Sequence, residues 1–386
     1  MAGTKYMGFL IKPASSACNM RCRYCFYYDV ADHRACSTTK VMDDAVAQAI
    51  IDKGLGVAPD AHVSFMFQGG EPTLAGLEFF ERFVAYVDEH RDRQVVSYAL
   101  QTNGMLIDER WAAFFKKHDF LVGISIDGYR DLHDYIRLDA SGKGTYARAL
   151  RAFHLLQDAG VQVNALTVLT EQLARHPQQA FNALVREHID HVQYIPCLPG
   201  LDEESDEFSL TPRAFASFYT SLLGMWLREL DRGRYVSIWL FENIMQMALG
   251  QYPSQCGMLG RCSPQFVVEG DGSVYPCDFY ALDEYRCGDI CSDTLEEMAA
   301  CDTMRAFLTE PRRACARCGD CPFEGICHRN CKRLNVAYYD REYCGLRAFL
   351  EAGYRDLAQV ARLLTSGGGA AMPWPGARRS KKPRFK

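Results

Sequence analysis

The sequence predicts an α/β protein that begins with a partial (β/α)6 TIM-like barrel and continues into a cysteine-rich region and a C-terminal helix. Short β-rich runs alternate with amphipathic stretches over the first 240 residues. Six such units are fewer than the eight that close a full barrel, so we expect one side to be open. After about Tyr235 the periodicity stops, and Gly, Pro, Asp and Cys dominate from Cys256 to Cys344.

The six predicted strands are short runs enriched in β-branched and aromatic residues. They are Phe9–Ala14, Val63–Gln68, Val95–Thr102, Leu121–Asp127, Val161–Leu169 and Val192–Leu198. The predicted helices carry apolar residues at i, i+3 and i+4. They cover residues 43–54, 77–90, 109–118, 145–160, 176–188 and 214–230, and a closing helix follows at 346–366. Alternation of this kind predicts parallel strands joined by right-handed crossovers.

Polar residues follow four of the predicted strands. They are Gln68-Gly69-Gly70-Glu71-Pro72, Gln101-Thr102-Asn103-Gly104, Ser125 with Asp127-Gly128, and Leu198 with its neighbours. Each group taken alone is typical of an ordinary turn. Because ligands bind at the carboxyl ends of parallel strands, four groups at successive strand ends predict a binding site.

Composition excludes several classes of function. The 386 residues carry 43 Lys and Arg against 48 Asp and Glu, a net charge of −5, which does not indicate general affinity for nucleic acid. No apolar run approaches the ~18 residues that span a bilayer. The N-terminal residues lack the apolar core of a signal peptide. We therefore expect a cytoplasmic protein without a nucleic-acid or membrane partner.

Seventeen cysteines are too many for chance in such a protein, and their clustering indicates metal ligation rather than disulfides. Cys18, Cys22 and Cys25 lie within eight residues, directly after the first predicted strand. A structural zinc site would normally take a fourth protein ligand. An iron–sulfur cube also prefers four ligands, so three cysteines would leave one iron open to a substrate or cofactor.

The spacing Cys18-x3-Cys22-x2-Cys25, together with Gly69-Gly70-Glu71-Pro72, resembles the signature of the radical S-adenosylmethionine (SAM) enzymes. Longer segments resemble the anaerobic sulfatase-maturating enzymes of that group, and the resemblance extends to about residue 350. These segments are LIKPASSACNMRCRYCFYY, FQGGEPTLAGLEFF, LQTNGMLID, FLVGISIDG and CSPQFVVEGDGSVYPCDFY. The resemblance implies a radical SAM barrel over residues 1–235 and a SPASM domain with two auxiliary [4Fe-4S] clusters over 236–350. A helix at 351–366 and a disordered tail at 367–386 would follow.

The resemblance also implies ligands for S-adenosylmethionine and for three [4Fe-4S] clusters. Cys18, Cys22 and Cys25 would hold the radical cluster, while Tyr24, Gly70, Ser125, Arg137 and Leu198 would contact S-adenosylmethionine. The first auxiliary cluster would take Cys256, Cys262, Cys277 and Cys331, and the second Cys318, Cys321, Cys327 and Cys344. Six cysteines would remain without a cluster: Cys36, Cys197, Cys287, Cys291, Cys301 and Cys315. Cys315 could replace a ligand of the second cluster, because Cys315-x2-Cys318-x2-Cys321 offers two registers.

Members of the resembled family oxidise a Cys or Ser in a sulfatase to Cα-formylglycine with a 5′-deoxyadenosyl radical. Asp278 matches the family's proton acceptor, although an aspartate there could equally cap a turn. Gln68, Gln101, Thr102 and Asn103 would line the site for an unfolded or nascent sulfatase segment carrying Cys/Ser-x-Pro/Ala-x-Arg. Tyr27 would stack near cofactor or substrate, or simply pack. An electron donor such as flavodoxin or ferredoxin would complete the set of partners.

Two alternatives stay open on the residues alone. A related SPASM enzyme that crosslinks or epimerises a ribosomal peptide would share the cluster ligands. The sequence around Asp278 and the Gln101-Thr102-Asn103 turn favours formylglycine formation over it. A non-catalytic zinc-binding interaction protein would explain the C-terminal cysteines, but not the N-terminal motif.

Overall fold

The computed structural model describes residues 6–34, 40–313 and 315–366. The expectations for Cys36 and for a disordered tail at 367–386 lie outside these residues. The strands within the described ranges are β1 (Tyr6–Ile11), β2 (Met20–Cys22), β3 (His62–Phe67), β4 (Val95–Thr102), β5 (Leu121–Ser125), β6 (Arg137–Asp139), β7 (Gln162–Leu169), β8 (His191–Pro196), β9 (Ser237–Ile238), β10 (Val267–Val268), β11 (Ser273–Tyr275) and β12 (Gly288–Asp289).

The helices alternate with the strands up to residue 248 and then become short until the last one. They are α1 (Phe26–Asp32), α2 (Asp44–Leu55), α3 (Leu77–His90), α4 (Glu109–Lys117), α5 (Arg130–Ile136), α6 (Tyr146–Asp158), α7 (Glu171–Ala174), α8 (Pro177–Arg186), α9 (Pro212–Asp231), α10 (Trp239–Ala248), α11 (Leu295–Ala300), α12 (Asp302–Thr309), α13 (Glu324–Cys327), α14 (Asn335–Tyr338) and α15 (Gly345–Ser366). Side-chain caps start several of them; for example, Asp108 accepts a hydrogen bond from the backbone N–H of Trp111 at 3.0 Å.

One sheet organises the fold, with the strand order β12-β11-β10-β1-β3-β4-β5-β7-β8-β9. The six strands expected from the sequence are β1, β3, β4, β5, β7 and β8, and they are neighbours and parallel. The predicted α/β fold with parallel strands is therefore confirmed. Helices cover the sheet, and rings such as Phe65, Phe67 and Phe120 are fully buried beneath them.

The sheet does not end at the expected domain boundary after residue 235. β9 adds in parallel to β8 at one edge, and β10 adds in parallel to β1 at the other. The antiparallel strands β11 and β12 then extend the sheet beyond β10. The cysteine-rich region is thus joined to the first strand of the barrel through backbone hydrogen bonds.

The last helix begins at Gly345, six residues before the start expected at 351. It packs against α9 and α10. The rings of Phe241 and Phe349 stack there with centroids 5.8 Å apart. An added Cβ at Gly345 would lie 2.0 Å from the carbonyl oxygen of Pro212, so only glycine allows this close approach. Among the described residues, the structure has no helix long and apolar enough to cross a membrane.

Candidate active site

The first three cysteines lie on a short excursion between β1 and α1. Cys22 ends β2, and its antiparallel pairing with β6 sets it opposite Arg137. Cys25 immediately precedes the first residue of α1. All three line one large cavity at the carboxyl ends of the parallel strands, so the structure brings them together. Burial raises the pKa of the Cys18 thiol to about 11 and that of Cys22 to about 12.

The glycine loop after β3 touches the cysteine loop directly. The backbone N–H of Gly70 donates to the carbonyl of Ser15 at 2.8 Å, and that of Glu71 donates to Ala17 at 2.8 Å. An added Cβ at Gly70 would lie 2.2 Å from the carbonyl oxygen of Ala17. A side chain at position 70 would therefore push the two loops apart, which explains why the sequence has glycine here.

Glu71 ties this loop to the next strand end. Its carboxylate is almost fully buried. Oε1 accepts hydrogen bonds from the hydroxyls of Thr73 and Thr102, both at 2.6 Å, and Oε2 accepts one from the backbone N–H of Asn103 at 2.8 Å. Burial raises the pKa of Glu71, and these hydrogen bonds act in the opposite direction. The sequence marked Glu71 only as part of a motif; the structure makes it the link between two strand ends.

Tyr24 and Arg137 meet at a third carboxylate, that of Asp127 after β5. Oδ2 of Asp127 accepts hydrogen bonds from Arg137 Nε at 2.8 Å and from the Tyr24 hydroxyl. The backbone N–H of Asp127 donates to Nδ1 of the buried His133 at 3.1 Å. Asp127 thus orients two of the residues expected to contact S-adenosylmethionine. The other three expected contacts also line the cavity: Gly70, Ser125 and Leu198.

Asp278 lies in the same cavity and is held by three side chains. Its Oδ2 accepts hydrogen bonds from Gln68 Nε2 and the Tyr27 hydroxyl, both at 2.8 Å. Its Oδ1 lies 3.1 Å from the ammonium nitrogen of Lys12. Gln68 therefore contacts Asp278, and Tyr27 is a hydrogen-bond partner rather than only a packing ring.

Strand register explains this cluster. Lys12 directly follows β1, and Glu269 directly follows the neighbouring β10, where Ile11 pairs with Val268. Lys12 Nζ lies 3.2 Å from Glu269 Oε1, which Arg34 also contacts at 3.0 Å. Burial alone would lower the pKa of Lys12, but attraction to Glu269 and Asp278 outweighs it, and the pKa is raised. Two cations and two carboxylates thus balance each other in a buried site.

The remaining peptide-site candidates line the cavity too, but with different freedom. Thr102 donates its hydroxyl to Glu71, as described above. Asn103 Nδ2 donates to Asn19 Oδ1 at 2.8 Å, and its Oδ1 accepts from the backbone N–H of Met105 at 2.9 Å. Gln101 has an exposed side chain. Both Thr102 and Asn103 therefore bind within the fold, whereas Gln101 faces outward.

Two further thiol sets form. Cys256, Cys262, Cys277 and Cys331 line the same cavity as Asp278. Cys318, Cys321, Cys327 and Cys344 line a smaller cavity, also bordered by Arg317, Arg329 and Arg347. The C-terminal cysteines are thus divided into the two sets of four that the family resemblance implies.

The unassigned cysteines that the structure describes lie apart from these sets, with one exception. Cys197 lines the large cavity and is buried. Cys287 and Cys301 pack in a small apolar cluster with Met304 and Phe307. Cys291 is exposed. Cys315 is buried with its thiol directed at the carbonyl of Arg341, at 3.8 Å, and does not line the smaller cavity.

Sequence reasoning missed Lys12, Asp127 and Glu269 as site residues. Lys12 had a usable signal, because it is a lone cation at the end of the apolar run FLIKPA. Asp127 had been noted only as a turn residue. Glu269 gave no local signal, because its partner Lys12 is 257 residues away in the chain.

Comparison with known proteins identifies two domains. The family model of the radical SAM superfamily matches residues 13–184. The model of the SPASM domain, an iron–sulfur cluster-binding domain, matches residues 256–322. The two matches contain the first cysteine motif and most of the C-terminal cysteines.

Relatives of known type match over nearly the whole chain. A cysteine-type anaerobic sulfatase-maturating enzyme of Clostridium novyi is 37% identical over 369 residues, which are 93% of this chain and 98% of the relative. A serine-type enzyme of Bacteroides thetaiotaomicron is 27% identical over 384 residues, covering 94% of this chain and 92% of the relative.

Solved structures agree with the sequence matches. The structure of polyhistidine-tagged anSMEcpe with bound AdoMet is 36% identical and superposes with a TM-score of 0.86, covering 93% of this chain and 99% of that one. Native anSMEcpe with bound AdoMet and Cp18Cys peptide gives a TM-score of 0.84 at the same identity and coverage. Streptococcus suis SuiB, at 14% identity and a TM-score of 0.58, shares the fold alone, with 88% of this chain and 76% of that one covered.

Proposed function

The chain belongs to the anaerobic sulfatase-maturating enzymes of the radical SAM superfamily, and we propose that it oxidises a cysteine side chain in a sulfatase segment to Cα-formylglycine. The observation that carries the proposal is the position of Asp278. Its carboxylate shares one cavity with Cys18, Cys22 and Cys25 on one side and with Cys277 and Cys331 on the other. A base for the substrate therefore lies between two candidate cluster sites.

The donor sets fit the cofactors that this reaction needs. Three thiols in a cavity suit a [4Fe-4S] cube with one open iron, and each set of four suits a fully ligated cube. Tyr24, Gly70, Ser125, Arg137 and Leu198 would hold S-adenosylmethionine. When bound, S-adenosylmethionine at the first cluster supplies a 5′-deoxyadenosyl radical, and the auxiliary clusters supply acceptors for an electron.

Asp278 acts as the general base in this proposal. Conversion of a cysteine to the thioaldehyde removes one hydrogen atom and one electron from the β-carbon centre and one proton from the thiol. Oδ2 of Asp278 takes that proton, and water then replaces sulfur to give the aldehyde and hydrogen sulfide. Gln68 and Tyr27 both donate to Oδ2, so they fix its position toward the cavity.

The charges around Asp278 support an ionised base. Lys12 contacts Oδ1 and leaves Oδ2 facing Gln68 and Tyr27. Glu269 and Arg34 complete the neutral buried cluster. We infer that Lys12 is a positioning residue, because it holds the carboxylate in one orientation without contacting the substrate.

Substrate recognition involves a short extended peptide at the open side of the sheet. Gln101 is exposed at the rim, so its amide can bond to the peptide backbone. Thr102 and Asn103 shape the rim by fixing the turn between them. The segment would carry the Cys-x-Pro-x-Arg pattern expected above, and a small acidic electron carrier such as flavodoxin or ferredoxin would reduce the radical cluster.

The preference for cysteine over serine rests on the relatives. Cysteine-type enzymes are 37–38% identical over 92–93% of the chain, whereas serine-type enzymes are 27–32% identical over 87–94%. The peptide-crosslinking alternative has support only at the level of fold, from SuiB. The zinc-scaffold alternative is not favoured, because the matched C-terminal domain is an iron–sulfur cluster-binding domain.

The test is an anaerobic assay with reconstituted protein, S-adenosylmethionine, a reductant and a peptide containing Cys-x-Pro-x-Arg. Mass spectrometry should show the mass change from CH2SH to CHO, with a hydrazide adduct reporting the aldehyde. Matched peptides with Ser or Ala at the target position are run in parallel. The proposal is wrong if the Cys peptide stays unmodified while 5′-deoxyadenosine accumulates, and the cysteine preference is wrong if the Ser peptide reacts faster.

A further inference from the structure

A three-residue turn connects the two C-terminal thiol sets. His328, Arg329 and Asn330 have φ angles of 48°, 62° and 50°, and they separate Cys327 of one set from Cys331 of the other. A left-handed conformation costs roughly 1–2 kcal/mol for each residue that has a Cβ. Three in succession must therefore be held by their surroundings. The backbone N–H of Asn330 donates to the carbonyl of Cys327 at 2.7 Å, which closes the turn.

Contacts from the flanking chain hold the turn in place. Nδ1 of His328 lies 2.7 Å from the carbonyl oxygen of Met258, and Nη1 of Arg312 donates to the His328 carbonyl at 2.9 Å. The segment after Cys256 thus packs directly on the turn. The position of Asn330 relative to Cys256 and Cys331 is fixed by these bonds.

The side chain of Asn330 is fully buried between two ligands of the first auxiliary set. Its Oδ1 accepts a hydrogen bond from the backbone N–H of Cys331 at 2.6 Å. An added Cβ at Gly257, the residue after Cys256, would lie 2.4 Å from that same oxygen. The amide is therefore wedged against the backbone of both ligand segments.

The amide nitrogen of Asn330 has no hydrogen-bond partner among the described residues, although it is buried. An unmade hydrogen bond on a buried donor costs about 1–3 kcal/mol, so native proteins rarely leave one. The nearest group that the donor set implies is an iron–sulfur cube held by Cys256, Cys262, Cys277 and Cys331. Its sulfurs are hydrogen-bond acceptors.

We propose that Asn330 is a positioning residue for the first auxiliary cluster and that its Nδ2–H donates a hydrogen bond to a sulfur of that cluster. The inference rests on the ligand assignment in the proposed function. A hydrogen bond to sulfur stabilises the more negatively charged reduced cluster and so raises its reduction potential. Since Cys277 is next to Asp278, this cluster is adjacent to the base, and a higher potential makes it a better acceptor of the substrate electron.

The competing explanation is purely conformational. Asparagine tolerates left-handed backbone better than most residues, so Asn330 could be present for its φ angle alone. Glycine tolerates that conformation at least as well and carries no amide. Asn330→Gly therefore separates the two explanations. Arg329→Gly is the matched control, because it makes the same backbone change at an exposed residue of the same turn.

The experiment is a potentiometric titration of the anaerobic holoenzyme followed by electron paramagnetic resonance. In Asn330→Gly, the ratio of reduced to oxidised first auxiliary cluster at the wild-type midpoint should fall about tenfold, the scale of one hydrogen bond to a charged group. For a one-electron couple this is about 59 mV toward lower potential. Arg329→Gly should leave the ratio within about twofold. An unchanged midpoint in Asn330→Gly, with the cluster present, overturns the proposal.

A measurement on the wild type protects the test against a variant that fails to fold. Protein labelled with asparagine carrying ¹⁵N only in the side-chain amide should show a ¹⁵N hyperfine coupling to the reduced first auxiliary cluster in pulsed spectra. Absence of that coupling would contradict the inference. If the wild type binds iron only at Cys18, Cys22 and Cys25, the cluster assignment of the proposed function fails instead, so the two failures are distinguishable.

Discussion

The ammonium nitrogen of Lys12 lies 3.1 Å from Oδ1 of Asp278, with the lysine side chain almost fully buried. The two residues are separated by more than half of the chain and meet because β10 pairs with β1. The contact occupies one carboxylate oxygen and leaves the other toward the cavity. It therefore couples the stability of the sheet edge to the orientation of the proposed base.

Replacing Lys12 with Met should destabilise the fold. Removing one member of a buried charge cluster leaves its partners unpaired, which typically costs about 3–5 kcal/mol. Anaerobic thermal unfolding of the holoenzyme measures the change. Lys40→Met is the matched control, because Lys40 forms an exposed pair with Asp43 at 3.1 Å and such pairs contribute at most ~1 kcal/mol. Equal melting temperatures for the two variants would contradict this account.

Asp278→Asn should stop aldehyde formation while cofactor binding persists. The amide keeps the shape of the carboxylate but cannot take a proton, and loss of a general base typically costs ~10²-fold or more in rate. The aldehyde formed per 5′-deoxyadenosine is the quantity to measure. Asp302→Asn, at an exposed aspartate paired with Arg305, is the control and should keep the parental ratio. Parental product formation in Asp278→Asn would show that another group is the base.

Iron content should be about twelve atoms per chain, from three cubes of four. Changing Cys18, Cys22 and Cys25 together to Ala should leave about eight and abolish cleavage of S-adenosylmethionine. Iron and sulfide analysis of anaerobically reconstituted protein gives the count. Full cleavage activity in the triple variant would refute the assignment of the radical cluster.

The register of the second auxiliary set can be tested with two single variants. Cys318→Ser should lose iron, whereas Cys315→Ser should keep it, because only Cys318 lines the smaller cavity. Cys315 is buried, so a hydroxyl there should cost ~1–3 kcal/mol of stability without loss of iron. The reverse pattern, with iron lost from Cys315→Ser alone, would shift the register by one cysteine.

Acid should destabilise the fold through His133. Burial lowers the pKa of this imidazole to about 4, below its ordinary value of 6.5, with Asp127, Arg137 and Asp134 as the charged neighbours. The neutral ring accepts from the backbone N–H of Asp127 and lies 3.0 Å from the Thr145 hydroxyl. Its contribution is fully present above pH 6.5 and is lost as the pH falls toward 4, because only the unfolded chain takes up the proton.

At pH 5.5 this group should cost about 1.4 kcal/mol relative to pH 7.5, from one pKa unit of difference. Unfolding measured at both values checks the loss. His133→Asn keeps an acceptor for the Asp127 N–H and removes the titration, so its stability should fall less between the two pH values. An identical fall in both proteins would assign the acid sensitivity to other groups.

Local pattern made much of the fold predictable. Val95–Thr102 and Leu77–His90 were expected with the bounds that the structure has, because strand alternation and helical periodicity are properties of a few consecutive residues. Excursions without periodicity were missed. These include β2 and β6, which are three residues each, and α1, which begins directly after Cys25.

The sequence by itself determined the cysteine spacing, the polar strand ends and the order of the six central strands, since each is encoded within a short segment. Only the tertiary structure decided which of those segments meet. Asp278 binds Gln68 and Tyr27 across 210 and 251 residues, through a hairpin that adds to the free edge of β1. Edge pairing depends on backbone groups that every residue carries, so no local pattern specifies it, and the partners of Lys12, Asp278 and Asn330 became visible only once the chain was folded.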